Sequence, residues 1–227
     1  MTRKKILVIG ANGFTGRRIL DDLSHNVSYQ TTGCSLHDDI CPHSGDYRFI
    51  RTDICNRQAV KKLFQEVQPD VVINTSALSV PDYGETHQAE ADAVNITAVG
   101  HLAECCEAGG SRFIHLYTDF VFGGDTDRPY TEEDIPAPVN YYGYTKLEGE
   151  KRIAAVCRDY AIVRVVVVYG AALPGQHGNV LQLVANRLRS NEEVFVVSDQ
   201  WRTPTFVGDV SQGVEELISQ PQNSIYH

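Results

Sequence analysis

Residues 5–16 read KILVIGANGFTG. The unbroken apolar run Ile6, Leu7, Val8, Ile9 stops at Gly10, and Gly13 and Gly16 follow at three-residue spacing as a helical pattern opens over 14–24. A short run that is apolar at every position suits a strand buried on both faces, as in a parallel sheet. Strand, glycine turn and helix in that order meet the needs of a dinucleotide-binding opening. One glycine makes the tight turn, one lets backbone approach a pyrophosphate, and one lets the helix pack closely on the strand. The free N–H groups and dipole at the helix start then attract phosphate. The spacing is GxxGxxG rather than GxGxxG, and a plain tight turn is the alternative reading, because turns use glycine anyway.

Outward from that stretch the same rhythm repeats. Strands are expected at 29–33, 47–51, 70–74 (DVVIN), 112–117 and 162–168 (IVRVVVV), with helices over 56–66, 89–108 and 142–157. Val60, Leu63, Phe64 and Val67 fall on one helical face, whereas Pro42 and Gly45 argue against a full crossover helix between the second and third strands. Repeated strand–helix alternation predicts an α/β fold, a Rossmann-like doubly wound parallel sheet. A helix at 180–189 and a strand at 193–197 lie outside the rhythm and are expected to form a small C-terminal substrate lobe over the carboxyl edge of the sheet. The expected division is 1–170 for the dinucleotide-binding domain, 171–207 for part of the lobe, and 208–227 for a return to the first domain. The final NSIYH, 223–227, looks like the opening of another strand, so the reading expects a truncated chain whose native form continues.

Composition narrows the classes. Of 227 residues 42% are hydrophobic, enough for a substantial core, and 29 acidic against 20 basic residues give a net charge of −9. That balance argues against a nucleic-acid or anionic-membrane partner. No apolar run approaches the ~20 residues of a membrane span. Six cysteines show neither CxxC nor zinc spacing, so reduced thiols and a cytoplasmic location are expected, with Cys105 and Cys106 as packing residues. His37, Cys41 and His43 share a loop without metal-site spacing, and no metal is expected.

The residue that reads the adenosine ribose should follow the second strand, about 20 residues past the glycine loop. There the chain has Gly33, Cys34, Ser35, Leu36 and His37, with no acid until Asp38. A carboxylate would bind a free 2′-hydroxyl and repel a 2′-phosphate, so its absence favours NADP(H) over NAD(H), although no Arg in that run clamps the phosphate. Asp53 is placed to meet the adenine amino group; the alternative is an N-cap for the helix near Asn56. Tyr142 and Lys146 stand four apart and share a helical face. A Lys ammonium beside the phenol would lower its pKa and let it exchange a proton with a carbinol while hydride moves to or from the cofactor. Thr118, at the carboxyl end of the strand over 112–117, can hold the carbonyl oxygen against Tyr142; alternatively Thr118 and Asp119 form only a turn. His115 is expected to be buried beside the cofactor, and Trp201 to be a lid, an interface or a core residue.

GANGFTG, TDI at 52–54, PDVVINTSA at 69–77, AVN at 93–95, TDFVFGG at 118–124, PYTEEDIPAPVNYYGYTKLEGE at 129–150 and DQWRTPT at 199–205 occur in this order along nearly the whole chain. In these segments the chain resembles the extended short-chain dehydrogenases/reductases, and within them the dTDP-4-dehydrorhamnose reductase family. The resemblance implies a reductase of a 4-keto-6-deoxy nucleotide sugar, with Thr118, Tyr142 and Lys146 as the catalytic triad and Asp119 beside the substrate. It implies that Gly10, Gly13, Phe14, Thr15 and Gly16 line the pyrophosphate, Asp53 and Ile54 the adenine, and Ala77, Leu78 and Ser79 the middle of the cofactor, which Tyr142 and Lys146 also touch. Asn95 resembles the helix asparagine that completes a proton relay in the superfamily. The partner expectations are a nucleotide-sugar substrate, no nucleic acid, no membrane, and a homodimer as the assembly to test. Three positions depart from the family pattern. Tyr117 replaces a Ser before the Thr, a Val run replaces a Trp after the sixth strand, and Arg202 stands where Gly is frequent. The cofactor half is intact while the sugar half has drifted. An epimerase or dehydratase on the same scaffold is an alternative. Residues 132–151 also resemble the regulatory β subunits of methionine adenosyltransferase, which bind NADP and a partner enzyme, so a non-catalytic subunit is another.

Overall fold

Ile6, Leu7, Val8 and Ile9 are all buried, with Ile6 and Val8 packed in one hydrophobic cluster and Leu7 and Ile9 in another. Alternate side chains of a strand point to opposite faces, so a sheet that buries both must carry helices on both sides. The computed structural model describes residues 2–42, 45–176, 178–220 and 223–227; His43 lies outside the described residues.

In chain order the elements are β1 (Lys4–Ile9), α1 (Phe14–Ser24), β2 (Tyr29–Ser35), β3 (Tyr47–Arg51), α2 (Arg57–Val67), β4 (Val71–Asn74), α3 (Pro81–Thr86) and α4 (Gln88–Asp92). A π-helical turn, Ala93–Ala98, leads into α5 (Val99–Gly109), then β5 (Arg112–Thr118) and a 3₁₀ turn, Asp119–Val121. The chain ends with α6 (Tyr141–Val156), β6 (Tyr160–Val165), α7 (Val180–Arg189), α8 (Val207–Leu217) and β7 (Ser224–Tyr226). All strands pair in parallel, in the order β3-β2-β1-β4-β5-β6-β7. Helices α1 and α8 cover one face through Ile19, Leu20, Leu23, Val210 and Val214. Helices α2, α5 and α6 cover the other through Val60, Leu63, Leu102 and Ile153. The result is the Rossmann-like doubly wound sheet expected from the alternation, and 224–226 does pair as a strand.

Four expectations need correction. The continuous helix over 89–108 is interrupted by the π-helical turn. The sixth strand ends at Val165, not 168, where its pairing with β5 ends at Thr118; two residues on, Val167 turns to φ +38°, which a β-branched residue seldom adopts. Residues 193–197 form no strand: Phe195, Val196 and Val197 are exposed and no sheet edge reaches them. Trp201 is 97% exposed, which removes its core reading. Among the described residues no helix is long and apolar enough to cross a membrane.

Candidate active site

The strand order reverses beside β1: the chain runs outward through β2 and β3, then returns to place β4 on the other side. The carboxyl ends of β1 and β4 therefore flank a crevice, where doubly wound sheets bind ligands. Gly10 enters it at φ +81°, and a Cβ there would lie 2.6 Å from Thr75 Oγ1 and 2.8 Å from Ser76 N. A Cβ on Gly16 would overlap Gly10 O and Thr75 Oγ1. Backbone thus fills the space that side chains would otherwise take. Gly13 stands at the N-cap of α1, and the first-turn N–H groups of Phe14, Thr15 and Gly16 have no intrahelical acceptor. Bare backbone, free donors and a helix N-terminus suit a pyrophosphate.

The rest of the crevice is pinned by side chains. Asn95, on the π-helical turn, accepts Leu78 N at 2.9 Å through Oδ1, and its Nδ2 donates to Leu78 O at 3.1 Å and Thr145 Oγ1 at 3.0 Å. The Thr145 hydroxyl in turn donates to Tyr142 O at 2.9 Å. This amide ties Leu78 to Thr145 on α6. A Cβ on Gly149 would lie 2.5 Å from Asn95 O, so α6 meets the π turn through glycine, and π turns of this kind gather at functional sites. Asp53 is exposed and its Oδ1 accepts Cys55 N at 2.9 Å. Asn56, not Asp53, caps α2 by accepting Gln58 N and Ala59 N at 3.0 and 3.1 Å. Ile54 beside it is half-buried.

Every residue of β5 is buried, and the strand delivers Thr118 to the rim. The Thr118 hydroxyl accepts Phe120 N at 3.2 Å, and Asp119 ion-pairs with Arg202 from the segment between α7 and α8. The turn reading of Thr118 and Asp119 is therefore correct, but the turn faces the site. Asn140 Oδ1 accepts Gly143 N at 2.7 Å and starts α6, which carries Tyr142, Lys146 and Glu150 on one buried face. The Tyr142 ring meets Phe120 edge to face at 5.6 Å. Burial pushes the Tyr142 phenol up to about 12; the neighbouring Thr118 hydroxyl pulls it down, and the Asp119 charge raises it further. Burial takes Lys146 down to about 7, with Glu150 drawing it back up.

The expectation that Lys146 lowers the phenol pKa is corrected by these groups. Lys146 Nζ donates to Leu116 O at 3.2 Å and sits 4.5 Å from the Tyr117 ring centroid. Deep burial there removes charge from the amine, so it has less to lend to Tyr142. His115, fully buried, pairs Nδ1 with Asn74 Nδ2 at 3.0 Å. Burial, and then Lys146, hold its pKa well below the usual imidazole value, so it stays neutral.

Two contributors escape the sequence reading. Asn12 reaches from the glycine loop to Asp38 O at 2.9 Å, and Arg51 on β3 stands in register with Ser35 at the end of β2. Asn12 falls inside the GANGFTG motif, which implies no role for it, and strand register alone brings Arg51 to the end of β2.

Fold and glycine-lined crevice together define a Rossmann-like doubly wound domain of the kind that binds dinucleotides. The chain belongs to the family described as RmlD substrate binding domain, whose model matches residues 4–227. It is 32% identical over 217 residues to methionine adenosyltransferase 2 subunit beta of Mus musculus, covering 96% of this chain and 63% of that protein's length. It is similar to a dTDP-4-dehydrorhamnose reductase structure from Clostridium acetobutylicum, with TM-score 0.83 and 32% identity over 98% of this chain and 73% of that one. A dTDP-4-dehydrorhamnose reductase of Bacillus anthracis solved in complex with NADP gives TM-score 0.84 at 26% identity, over 100% and 74% of the two chains.

Proposed function

We propose that this protein is an NAD(P)H-dependent reductase of a 4-keto-6-deoxy nucleotide sugar, with NADP(H) favoured over NAD(H). One observation carries the reading: Thr118, at the carboxyl end of β5 next to β4, accepts Phe120 N, and the Tyr142 ring meets that same Phe120 edge to face, so both side chains gather at one rim of the sheet. The backbone of 10–16 would hold the pyrophosphate, Asp53 and Ile54 the adenine, and Ala77–Ser79 the central part. A reduced nicotinamide, when bound, supplies the hydride. Thr118 orients the ketone and Tyr142 donates the proton to the developing carbinol oxygen; a phenol held near 12 arrives fully protonated, as a donor must. Lys146, titrating near 7, can resupply that proton. Residues 171–207 would contribute to the substrate lobe, and Asp119 with Arg202 would meet the nucleotide sugar. The reading places a homodimer in the cytoplasm.

The test is NAD(P)H oxidation with dTDP-4-keto sugars. Loss of a positioned general acid costs about 10²–10⁴-fold, so Tyr142→Phe should lower kcat by at least about 100-fold with cofactor affinity retained. Undiminished turnover in that variant removes Tyr142 from the role. The similarity to a methionine adenosyltransferase subunit favours a second reading, a dinucleotide-binding partner subunit. Tight NADPH binding with no turnover on any keto sugar would select it.

A further inference from the structure

We propose that Arg51 is the residue that recognises the 2′-phosphate of the adenosine ribose and so sets the cofactor preference. The inference rests on the dinucleotide-binding reading above and adds a residue to it. The end of β2 is where doubly wound folds tell the two cofactors apart, a carboxylate serving the free ribose and a cation the phosphate. The run after β2 holds two carboxylates, Asp38 and Asp39, and no Arg or Lys, so the sequence alone leaves a 2′-phosphate no charge to pair with.

The geometry reverses that. Asp39 is withdrawn. Its Oδ1 accepts Cys41 N at 3.0 Å and pairs with the buried Arg17 guanidinium, and its Oδ2 accepts the Tyr47 hydroxyl at 2.7 Å. A carboxylate so engaged has little capacity left for a pair of ribose hydroxyls. Asn12 then fixes the surrounding loop to the glycine turn. Its Nδ2 donates to Asp38 O at 2.9 Å and His37 O at 3.3 Å, and its Oδ1 accepts Ile40 N at 3.3 Å and Arg17 Nη2 at 3.2 Å. The side of the ribose pocket is thereby held in place by groups already satisfied.

Into that fixed frame β3 brings a cation. Arg51 is the register partner of Ser35, and its Nε donates to Leu36 O at 3.2 Å. Its other tie is to Asp38, 3.9 Å away between side chains 64% and 87% exposed. An exposed pair at that separation holds weakly, so the guanidinium can turn toward a phosphate at little cost. Its planar fork matches a phosphate monoester, which a lysine would meet only as a point charge. Ser35 is its register partner on the neighbouring strand, and the Asp38 charge opposes the phosphate.

Isothermal titration with NADPH, NADH and the fragments adenosine 2′,5′-bisphosphate and 5′-AMP tests this without turnover. Arg51→Ala should weaken NADPH and the bisphosphate about 10-fold or more and leave NADH and 5′-AMP within about twofold. Arg51→Lys should recover part of the loss, and Asp38→Asn should tighten NADPH. Arg51 is exposed, and thermal unfolding should confirm an intact fold in each variant. Equal losses for both cofactors, no loss for NADPH, or a wild type that prefers NADH would overturn the role of Arg51 while leaving the dinucleotide reading in place. A wild type that binds neither cofactor overturns both.

Discussion

The layered sheet and the excursion between β6 and α8 are built on different terms. Every residue of β4 and β5 is buried, and so are four of the six in β1. Helix α7 buries none of its ten residues, although Leu181, Leu183 and Leu188 lie on it. The excursion is stitched at its neck, where Thr205 N donates to Val166 O, Tyr169 N to Thr205 O and Val207 N to Tyr169 O, all within 2.9–3.0 Å. Beyond the neck its side chains touch the site at few places. Gln176 Nε2 donates to Asn12 O and Gly13 O at 3.1 Å, and Arg202 pairs with Asp119. The sheet region thus carries its own packing and the rim where Thr118 and Tyr142 gather, while among the described residues α7 brings no buried side chain to a core. Stability should track the first region and substrate choice the second.

The contrast is most exposed to failure at the buried pair Glu150–Arg164, where Oε1 and Oε2 each accept a guanidinium N–H at 2.8 Å and both residues are buried. Glu150→Gln leaves an uncompensated buried cation and should cost about 3–5 kcal/mol in urea unfolding. The double change Glu150→Leu with Arg164→Met should recover most of that. A single variant within 1 kcal/mol of wild type, on the same order as an exposed pair, would mean that α6 is not rigidly seated on β6.

A matched pair of leucines sharpens the comparison. Leu102 in α5 is 0% exposed and Leu183 in α7 is 55% exposed. Leu102→Ala should cost about 2–5 kcal/mol by loss of burial and the cavity it leaves, whereas Leu183→Ala should stay within about 0.5 kcal/mol. Similar losses at both positions would show that α7 is packed in solution against something that covers it.

How far the sequence could be read follows the same division. The apolar runs of β1, β4 and β5 and the GxxGxxG turn were legible because a strand buried on both faces must be apolar at every position. The placement of Thr118, Tyr142 and Lys146 was legible, though not their role, since spacing puts the last two on one face and the strand end fixes the first. Helix α8 carried a readable period, Val207, Val210, Val214 and Leu217, yet no helix is among the expectations for 208–227. EEVFVV at 192–197 has the composition of a strand, but strand formation needs a partner edge, and composition does not supply one. The π turn meets α6 through Gly149, and Arg51 comes beside the end of β2 only through register. Both are tertiary facts that local pattern does not encode.

A pH-dependent effect lies within the sheet region itself, at Lys146. Its pKa near 7 when folded, against 10.5 for an ordinary lysine, means the unfolded chain binds more protons between those values. Stability therefore rises with pH across about pH 7 to 10.5, and the burial penalty is felt in full below 7. This group adds a slope of at most about 1.4 kcal/mol per pH unit. Tyr142 acts in the opposite sense: its phenol near 12, against 10, makes the folded state hold the extra proton, and stability falls from pH 10 to 12. Urea midpoints of wild type and Lys146→Met at pH 6.5, 8 and 9.5 separate the lysine from other titrating groups. The variant should gain most at the lowest pH and converge on wild type as pH rises. Parallel curves would mean that Lys146 keeps its charge in the folded chain. Charge retained there would restore its influence on the phenol and make Tyr142 easier to ionise than its burial alone allows.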